Sequence, residues 1–407
     1  MKLKSTVCLI SFLSLLSPSA GILIGEHHYK VERQFIYPDE FAAGKPYTPG
    51  ILVDDYLYIS GQIDRDPKTG DQPDGIADQT RMAMDNMGHV LRAAGMDFSN
   101  VVTCHVQLAD MDNYKDMNEV YGSYFGPEHF PARTTLEFPG LPGNANLEVT
   151  CIAYAEKSKI SIVIPPEGSI PAAMGPYRPG VWAGDMLYVS GSGGRNPQTN
   201  EIDPTIEGQT EQTMKNIGAI LNAAGLDHED AVFVNVYFLD PEGNRGPVYG
   251  KLNSVYKNFF TMGSASSRAS FCVSRLPGTI STEITFVATR DSGSKGRVVP
   301  GYMRTSPTSS GGGVLAGDTL WTSGKSGTGD TVAEQMRDSL EKIRDTLNLA
   351  GMDMEHVVDA HVYLKDISDM DEMNAVFKEY FPNNPPVRTT LQVIQSQLEQ
   401  VQVVAVR

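Results

Sequence analysis

Cysteine is scarce: four residues in a chain of 407, Cys8, Cys104, Cys151 and Cys272, with no CxxC pair and no ligand-like spacing. That count argues against a cysteine-built zinc module and against a dense disulfide scaffold. Cys104 and Cys151 fall inside apolar, strand-like runs, where each reads as a small buried hydrophobe. Positive charge is also short, since 33 Lys and Arg against 49 Asp and Glu leave a formal charge of −16. Such a surface repels polyphosphate, and no basic-aromatic track interrupts it, so nucleic acid is disfavoured as a partner. No phosphate-binding glycine loop, haem motif or nucleophile elbow occurs. The apolar run from Val7 to Leu16 is too short to span a bilayer.

That run nevertheless has a setting. Lys2 and Lys4 precede it and small residues follow it in MKLKSTVCLISFLSLLSPSAG, the layout of a secretory signal peptide over residues 1–21. The expectation is a secreted or endomembrane protein with no membrane span in the mature chain, or a cytoplasmic one if the leader is not used. Pro18 makes the cleavage site imperfect.

The rest of the chain says one thing three times. LYISGQ, LYVSGS and LWTSGK recur at 57, 187 and 320, each followed by an amphipathic stretch ending in AAGMD, AAGLD or LAGMD. Gly61 and Gly191 are 130 positions apart, as are Gly95 and Gly225, while 133 separate Gly191 from Gly324. A period that long makes each copy a whole domain. The expected bounds are 27–157, 159–291 and 298–407, with short linkers at 158–166 and 291–297.

Within a copy, the stretch from Gln79 to Ala94 sets Ala83, Met87, Val90, Leu91 and Ala94 on one face at helical spacing, with Gly95 suited to the position just past the helix end. VVTCHVQL alternates, placing Cys104, Val106 and Leu108 on the face that meets the helices. A second helix follows at MNEVYGSYF and a last strand at LEVTCIAY. Each unit is then α+β, one mixed β-sheet with two helices on one face. The opposite strand face carries His105, Asn235 and His361; two imidazoles and an amide are a poor metal-ligand set, and they read better as the polar lining of a central cavity.

One arginine recurs before a short strand: Arg133 in PARTTLEF, Arg268 in SSRASFCV and Arg388 in PVRTTLQV. Alone, each is a surface arginine capping an edge strand. A glutamate follows fifteen residues later in two copies, Glu148 and Glu283, and a tyrosine precedes the SG glycine by 14 in the same two, Tyr47 and Tyr177. Singly these too are ordinary, a strand-face carboxylate and a packed aromatic. Their joint recurrence at fixed offsets points to a site.

GPYRPGVWAGDMLYVSG, the AAG helix ends and PAR with its later glutamate resemble the Rid (YjgF) imine deaminases, three times over across nearly the whole chain after the leader. The resemblance implies tandem chorismate-mutase-like (YjgF-type) domains, usually homotrimeric, here arranged as a pseudo-trimer within one monomeric chain. It implies clefts between neighbouring domains, and hydrolysis of small 2-imino acids to 2-keto acids and ammonia without cofactor or metal. The arginines would grip the substrate carboxylate through a planar fork, and the glutamates would hold and polarise water. Arg133, Glu148, Tyr47, Arg268, Glu283 and Tyr177 are the catalytic candidates. Ser60, Gly61, Asn118, Thr135, Ser190, Gly191, Asn253, Ser270 and Arg388 are the binding candidates, with the two glycines placed where a side chain would obstruct approach.

Copy three departs from the pattern. Ser310 stands in the register of the tyrosine and Gln400 in that of the glutamate, although Ser323, Gly324, Asn374 and Arg388 persist. That copy reads as a binding or structural one. The missing groups disable one cleft if they serve the same one, or two if they face opposite clefts. A noncatalytic module binding small carboxylates or a protein is the competing reading. Ribonuclease activity, attributed to some relatives, is disfavoured by the charge.

Overall fold

The computed structural model describes residues 32–240, 245–261, 263–306, 308 and 311–407. The leader at 1–21 and Ser310 lie outside the described residues. In the first domain the elements are β1 (Arg33–Ile36), β2 (Gly50–Val53), β3 (Tyr56–Ile63), α1 (Ile76–Ala93), β4 (Val101–Leu108), α2 (Tyr114–Ser123), β5 (Ala132–Glu137) and β6 (Leu147–Tyr154). They form a six-stranded sheet in the order β1-β2-β3-β6-β4-β5. Only β4 and β5, joined through α2, are parallel, as a helical crossover requires. Two further six-stranded sheets repeat this order, with helices Ile206–Ala223 and Arg245–Tyr256 in the second domain and Val332–Leu349 and Met370–Tyr380 in the third.

The long helices stop for the reason legible in their glycines. Gly95, Gly225 and Gly351 take φ of 72°, 76° and 71°, a left-handed turn that a Cβ disfavours. In each, the glycine N–H and the next one reach back to Arg92 and Leu91, Asn222 and Leu221, or Asn348 and Leu347, closing the helix end. On the buried face of α1, Ala83, Met84, Met87, Val90 and Leu91 pack against Leu57, Ile59, Val106 and Val149 of the sheet.

The cysteine expectation is corrected. Cys104 on β4 and Cys151 on β6 are register partners and form a disulfide, with Cα atoms 4.2 Å apart, the close approach of directly opposed antiparallel residues. They stand 47 residues apart in sequence; the sheet order makes them neighbours. Cys272 is a buried thiol. The linkers are also shorter than expected, because Ile160–Val163 and Gly296–Val298 are already the edge strands of the next sheets.

The helix-free faces turn inward and onto one another. Thr150 and Thr389 share a hydrogen bond at 2.8 Å, and Phe271 stacks on Tyr363 at 3.7 Å between centroids. One backbone contact recurs at all three junctions: the N–H of Arg133 donates to Ser190 Oγ at 2.8 Å, that of Arg268 to Ser323 Oγ at 3.3 Å, and that of Arg388 to Ser60 Oγ at 2.9 Å. First meets second, second meets third, and third meets first, so the ring closes within one chain. His105 and His361 line a small cavity among the inner faces, where His361 Nε2 lies 3.2 Å from Asp359 Oδ2 and burial pushes His105 down to about 4. Among the described residues no cluster of His, Cys, Asp or Glu is placed to hold a metal ion, and no helix is long and apolar enough to cross a membrane.

Candidate functional site

Each junction forms a cleft around its arginine. β3 carries a bulge in which Ser60 and Gly61 oppose the single Thr150, between the pairs Ile59–Cys151 and Gln62–Val149. The bulge aims Ser60 at the neighbouring arginine strand and leaves Gly61 under the acid of its own domain. A Cβ on Gly61 would stand 1.6 Å from Glu148 Oε1, one on Gly191 1.9 Å from Glu283 Oε1, and one on Gly324 1.9 Å from Gln400 Nε2. The SG glycines are therefore the floor on which the buried carboxyl or amide lies.

In the first cleft, Arg133, Asn118 and Thr135 come from domain one, and Tyr177, Ser190, Gly191 and Glu283 from domain two. Arg133 is buried, its Nη2 is 3.3 Å from Tyr114 Oη, and its guanidinium lies against the rings of Tyr121 and Tyr177 at 4.9 and 5.5 Å. Arg133 Nη1, Asn118 Oδ1 and Thr135 Oγ1 are buried without a hydrogen-bond partner. Burial pushes Glu283 up to about 8, against the opposing pull of Arg133. These groups edge a cavity of about 130 Å³ walled by Ile170, Met174, Ile220 and Ile280.

The third domain meets the first with the same parts. Arg388, Thr390 and Asn374 face Tyr47, Ser60, Gly61 and Glu148; the Arg388 guanidinium lies 4.9 Å from the Phe377 ring and 5.9 Å from Tyr47. Burial lowers Arg388 to about 10, offset by Tyr47 and Glu148, so it stays charged at neutral pH. Burial raises Glu148 to about 8, with Arg388 opposing, and raises Tyr47 against the same arginine. Asn374 Oδ1, Thr390 Oγ1 and Glu148 Oε2 have no hydrogen-bond partner.

Between domains two and three, Arg268 donates from Nη1 to Asn253 Oδ1 at 2.7 Å and lies on the Tyr256 ring at 4.2 Å. Ser270 lines the same cleft, and across it stand Gly324 and Gln400. Of the two substitutions of copy three, Gln400 thus lies at this junction, while Ser310 is outside the described residues.

Closeness in sequence misleads here. Arg133 and Glu148 serve different clefts; Arg133 faces Glu283, and Glu148 faces Arg388. Arg388 faces Glu148 and Arg268 faces Gln400, because each arginine meets the wall of the next domain rather than its own. Sequence reasoning had not given Tyr114 and Tyr121 a place beside Arg133. For Tyr121 the signal was an aromatic at one position of the second helix in every copy, Tyr121, Tyr256 and Phe377.

The chain is thus a ring of three α+β domains with a buried arginine at each junction and a buried glutamate at two of them. The chain belongs to the Endoribonuclease L-PSP family, whose model matches residues 38–155, 167–290 and 307–404. It is 42% identical over 109 residues to the human 2-iminobutanoate/2-iminopropanoate deaminase, covering 26% of this chain and 79% of the relative. It is 40% identical over 113 residues to Reactive Intermediate Deaminase A, chloroplastic, of Arabidopsis thaliana, covering 28% of this chain and 60% of that one. Among solved structures, RidA from the Antarctic bacterium Psychrobacter is 31% identical with a TM-score of 0.29, covering 30% of this chain and 98% of that one. The E. coli YjgF gene product is 32% identical with a TM-score of 0.28, covering 30% and 96%.

Proposed function

We propose that the chain hydrolyses small 2-imino acids to 2-keto acids and ammonia, without cofactor, at two of its three interdomain clefts: Arg133–Tyr177–Glu283 and Arg388–Tyr47–Glu148. The observation that carries this reading is the convergence, twice, of a buried arginine with unfilled polar neighbours and a buried carboxyl held near pH 8. The named activity of the relatives supports the reaction class.

The guanidinium takes the substrate carboxylate and so fixes the C=N bond over the glutamate. A carboxyl titrating near 8 is protonated at neutral pH and donates its proton to the imine nitrogen. The resulting carboxylate then accepts a proton from water as the water oxygen bonds to carbon. Collapse of that adduct breaks the C–N bond: the carboxyl gives its proton to the leaving nitrogen, the hydroxyl proton of the adduct passes to the resulting carboxylate as the C=O bond forms, and ammonia departs with the carboxyl restored. Tyr47 and Tyr177 wall the pocket beside the arginines.

The test is imine decay following an amino-acid oxidase. Acceleration by the wild type and its loss in the Glu148→Gln, Glu283→Gln double variant are expected. No acceleration by the wild type leaves the noncatalytic carboxylate-binding reading standing. The leader and the Cys104–Cys151 disulfide both support an oxidising compartment as the site of action, and closure of the ring within one chain supports a monomeric pseudo-trimer.

A further inference from the structure

One position next to the site differs in length among the three domains. The residue after each SG glycine is Gln62, Ser192 or Lys325, and each is the register partner of a buried core residue, Val149, Ile284 or Val401. The three side chains therefore leave their sheets at the same place, on the face that the helices cover. Gln62 is 3% exposed and folds back so that its Nε2 donates to the Ser60 carbonyl at 2.8 Å. Lys325 is 6% exposed, and its Nζ donates to the carbonyls of Gly311 and Gly312, the latter at 3.0 Å. Ser192 is short: its hydroxyl stays over the Ser190 carbonyl at 3.4 Å. It lines the cavity of about 130 Å³ that Arg133 and Glu283 edge.

The room beside Ser192 is bordered by apolar groups. Ile170 and Pro179 come from the segment that precedes the strand Gly180–Ala183, and Ile220, 3% exposed, comes from the helix Ile206–Ala223. Ile280 closes over Gly193, on which an added Cβ would stand 2.5 Å from Ile280 Cδ1. Asn216, the amide on this wall, is already bonded: its Nδ2 donates to the Gly193 and Arg195 carbonyls at 2.9 and 3.0 Å, and its Oδ1 accepts from Gln212 at 2.9 Å. Arg195 Nη1 donates to the Asn200 carbonyl at 2.8 Å. A wall whose polar groups are satisfied within the protein gains little from a ligand's hydroxyl or charge and gains from burying its apolar surface. Arg133 and Glu283 border the same cavity, so a substrate gripped there extends its substituent into this room.

We propose that Ser192 sets substrate choice: the Arg133–Glu283 cleft takes 2-imino acids with a branched, leucine-type apolar side chain, whereas at the Arg388–Glu148 cleft Gln62 fills the matching room and admits only short side chains. The chain then runs one reaction on two sizes of substrate. This rests on the hydrolysis proposed above, and binding of unreactive 2-keto acids tests it separately.

The keto acid of leucine is titrated calorimetrically into the full chain, with pyruvate as the short control. One site per chain is expected for the leucine keto acid. Ser192→Gln, which copies the first domain, is expected to weaken that site by at least about tenfold, the low end for a pocket mismatched by a methylene, and to leave pyruvate binding unchanged. Gln62→Ser is expected to add a second site for the leucine keto acid. In the oxidase-coupled assay, Glu283→Gln is expected to abolish the acceleration of leucine-imine decay and only to reduce that of alanine imine. Absence of leucine keto acid binding to the wild type at millimolar concentration overturns the proposal. So do two equal sites in the wild type, unchanged affinity in Ser192→Gln, or leucine-imine turnover that survives Glu283→Gln. If Ser192→Gln does not fold, failure of Gln62→Ser to add a site decides against it. The expected binding pattern without acceleration of either imine refutes the hydrolysis and supports the pocket.

Discussion

The backbone N–H of Arg388 donates to the Ser60 hydroxyl at 2.9 Å, across 328 positions of sequence. This contact seats the last domain on the first and brings Arg388 to Tyr47 and Glu148. Copy three supplies the arginine to one cleft and the opposite wall to another. Arg388 therefore faces the first domain's Tyr47 and Glu148, and Gln400 faces Arg268. Under the proposed reaction, two complete sites and one altered site follow.

Two complete sites make the glutamates interchangeable in number but not in kind. Glu148→Gln and Glu283→Gln, made singly, are each expected to remove part of the imine turnover, the remainder belonging to the other cleft. Together they are expected to lower it by at least about 100-fold, the usual scale for loss of a general acid–base. Steady-state rates from the oxidase-coupled assay check this. Full activity in the double variant removes the glutamates from the reaction.

The SG glycines provide an independent check. A methyl on Gly61 or Gly191 would fall within 2 Å of the carboxyl oxygen, at 1.6 and 1.9 Å, so the glutamate must move. Gly61→Ala with Gly191→Ala is expected to reduce kcat by at least about tenfold, on the scale of a misplaced reacting group. Wild-type kcat with an unmoved carboxyl in a crystal structure of the variant refutes this account of the bulge.

Much of this was written in the sequence because it is local. The three units, the helix ends at Gly95 and Gly225 and the inward face of Cys104, Val106 and Leu108 follow from period and from φ preference. Pairings between distant strands were not readable in that way. The β6 strand inserts between β3 and β4, which makes Cys104 and Cys151 opposite neighbours; no spacing rule announces that. Likewise Arg133 and Glu148 share a domain but not a cleft, because each site is assembled from the edge of one sheet and the middle of the next. The residue types could be named in advance, and their partnerships depended on the order of strands and the closure of the ring.

The disulfide yields a stability prediction. It closes a separation of 47 residues, for which chain entropy gives about 4 kcal/mol of stabilisation. Thermal unfolding of the wild type under reductant is expected at a clearly lower temperature than without it. Cys104→Val with Cys151→Val is expected to unfold low in both conditions. Identical melting of the wild type with and without reductant, with thiol titration showing the bond broken, contradicts a stabilising role.

The buried glutamates tie stability to pH. Burial carries Glu148 and Glu283 from the usual 4.5 to about 8. The unfolded chain releases these protons near 4.5, while the folded chain holds them until about 8, so the folded state binds more protons between those values. Stability from these groups is full below about 4.5 and is lost as pH rises through about 8. Glutamine has no proton to lose, so the Glu148→Gln, Glu283→Gln double variant is expected to fall less steeply in stability over that window. The difference from wild type grows from pH 5 to 8 and is constant above about 9. Glu399, which burial raises to about 7, is present in both proteins and cancels in the comparison. Urea unfolding of both proteins at pH 5, 7 and 9 measures the difference. Parallel curves mean that the glutamates are already ionised in the folded protein at neutral pH, and the proton donation to the imine nitrogen then has no donor.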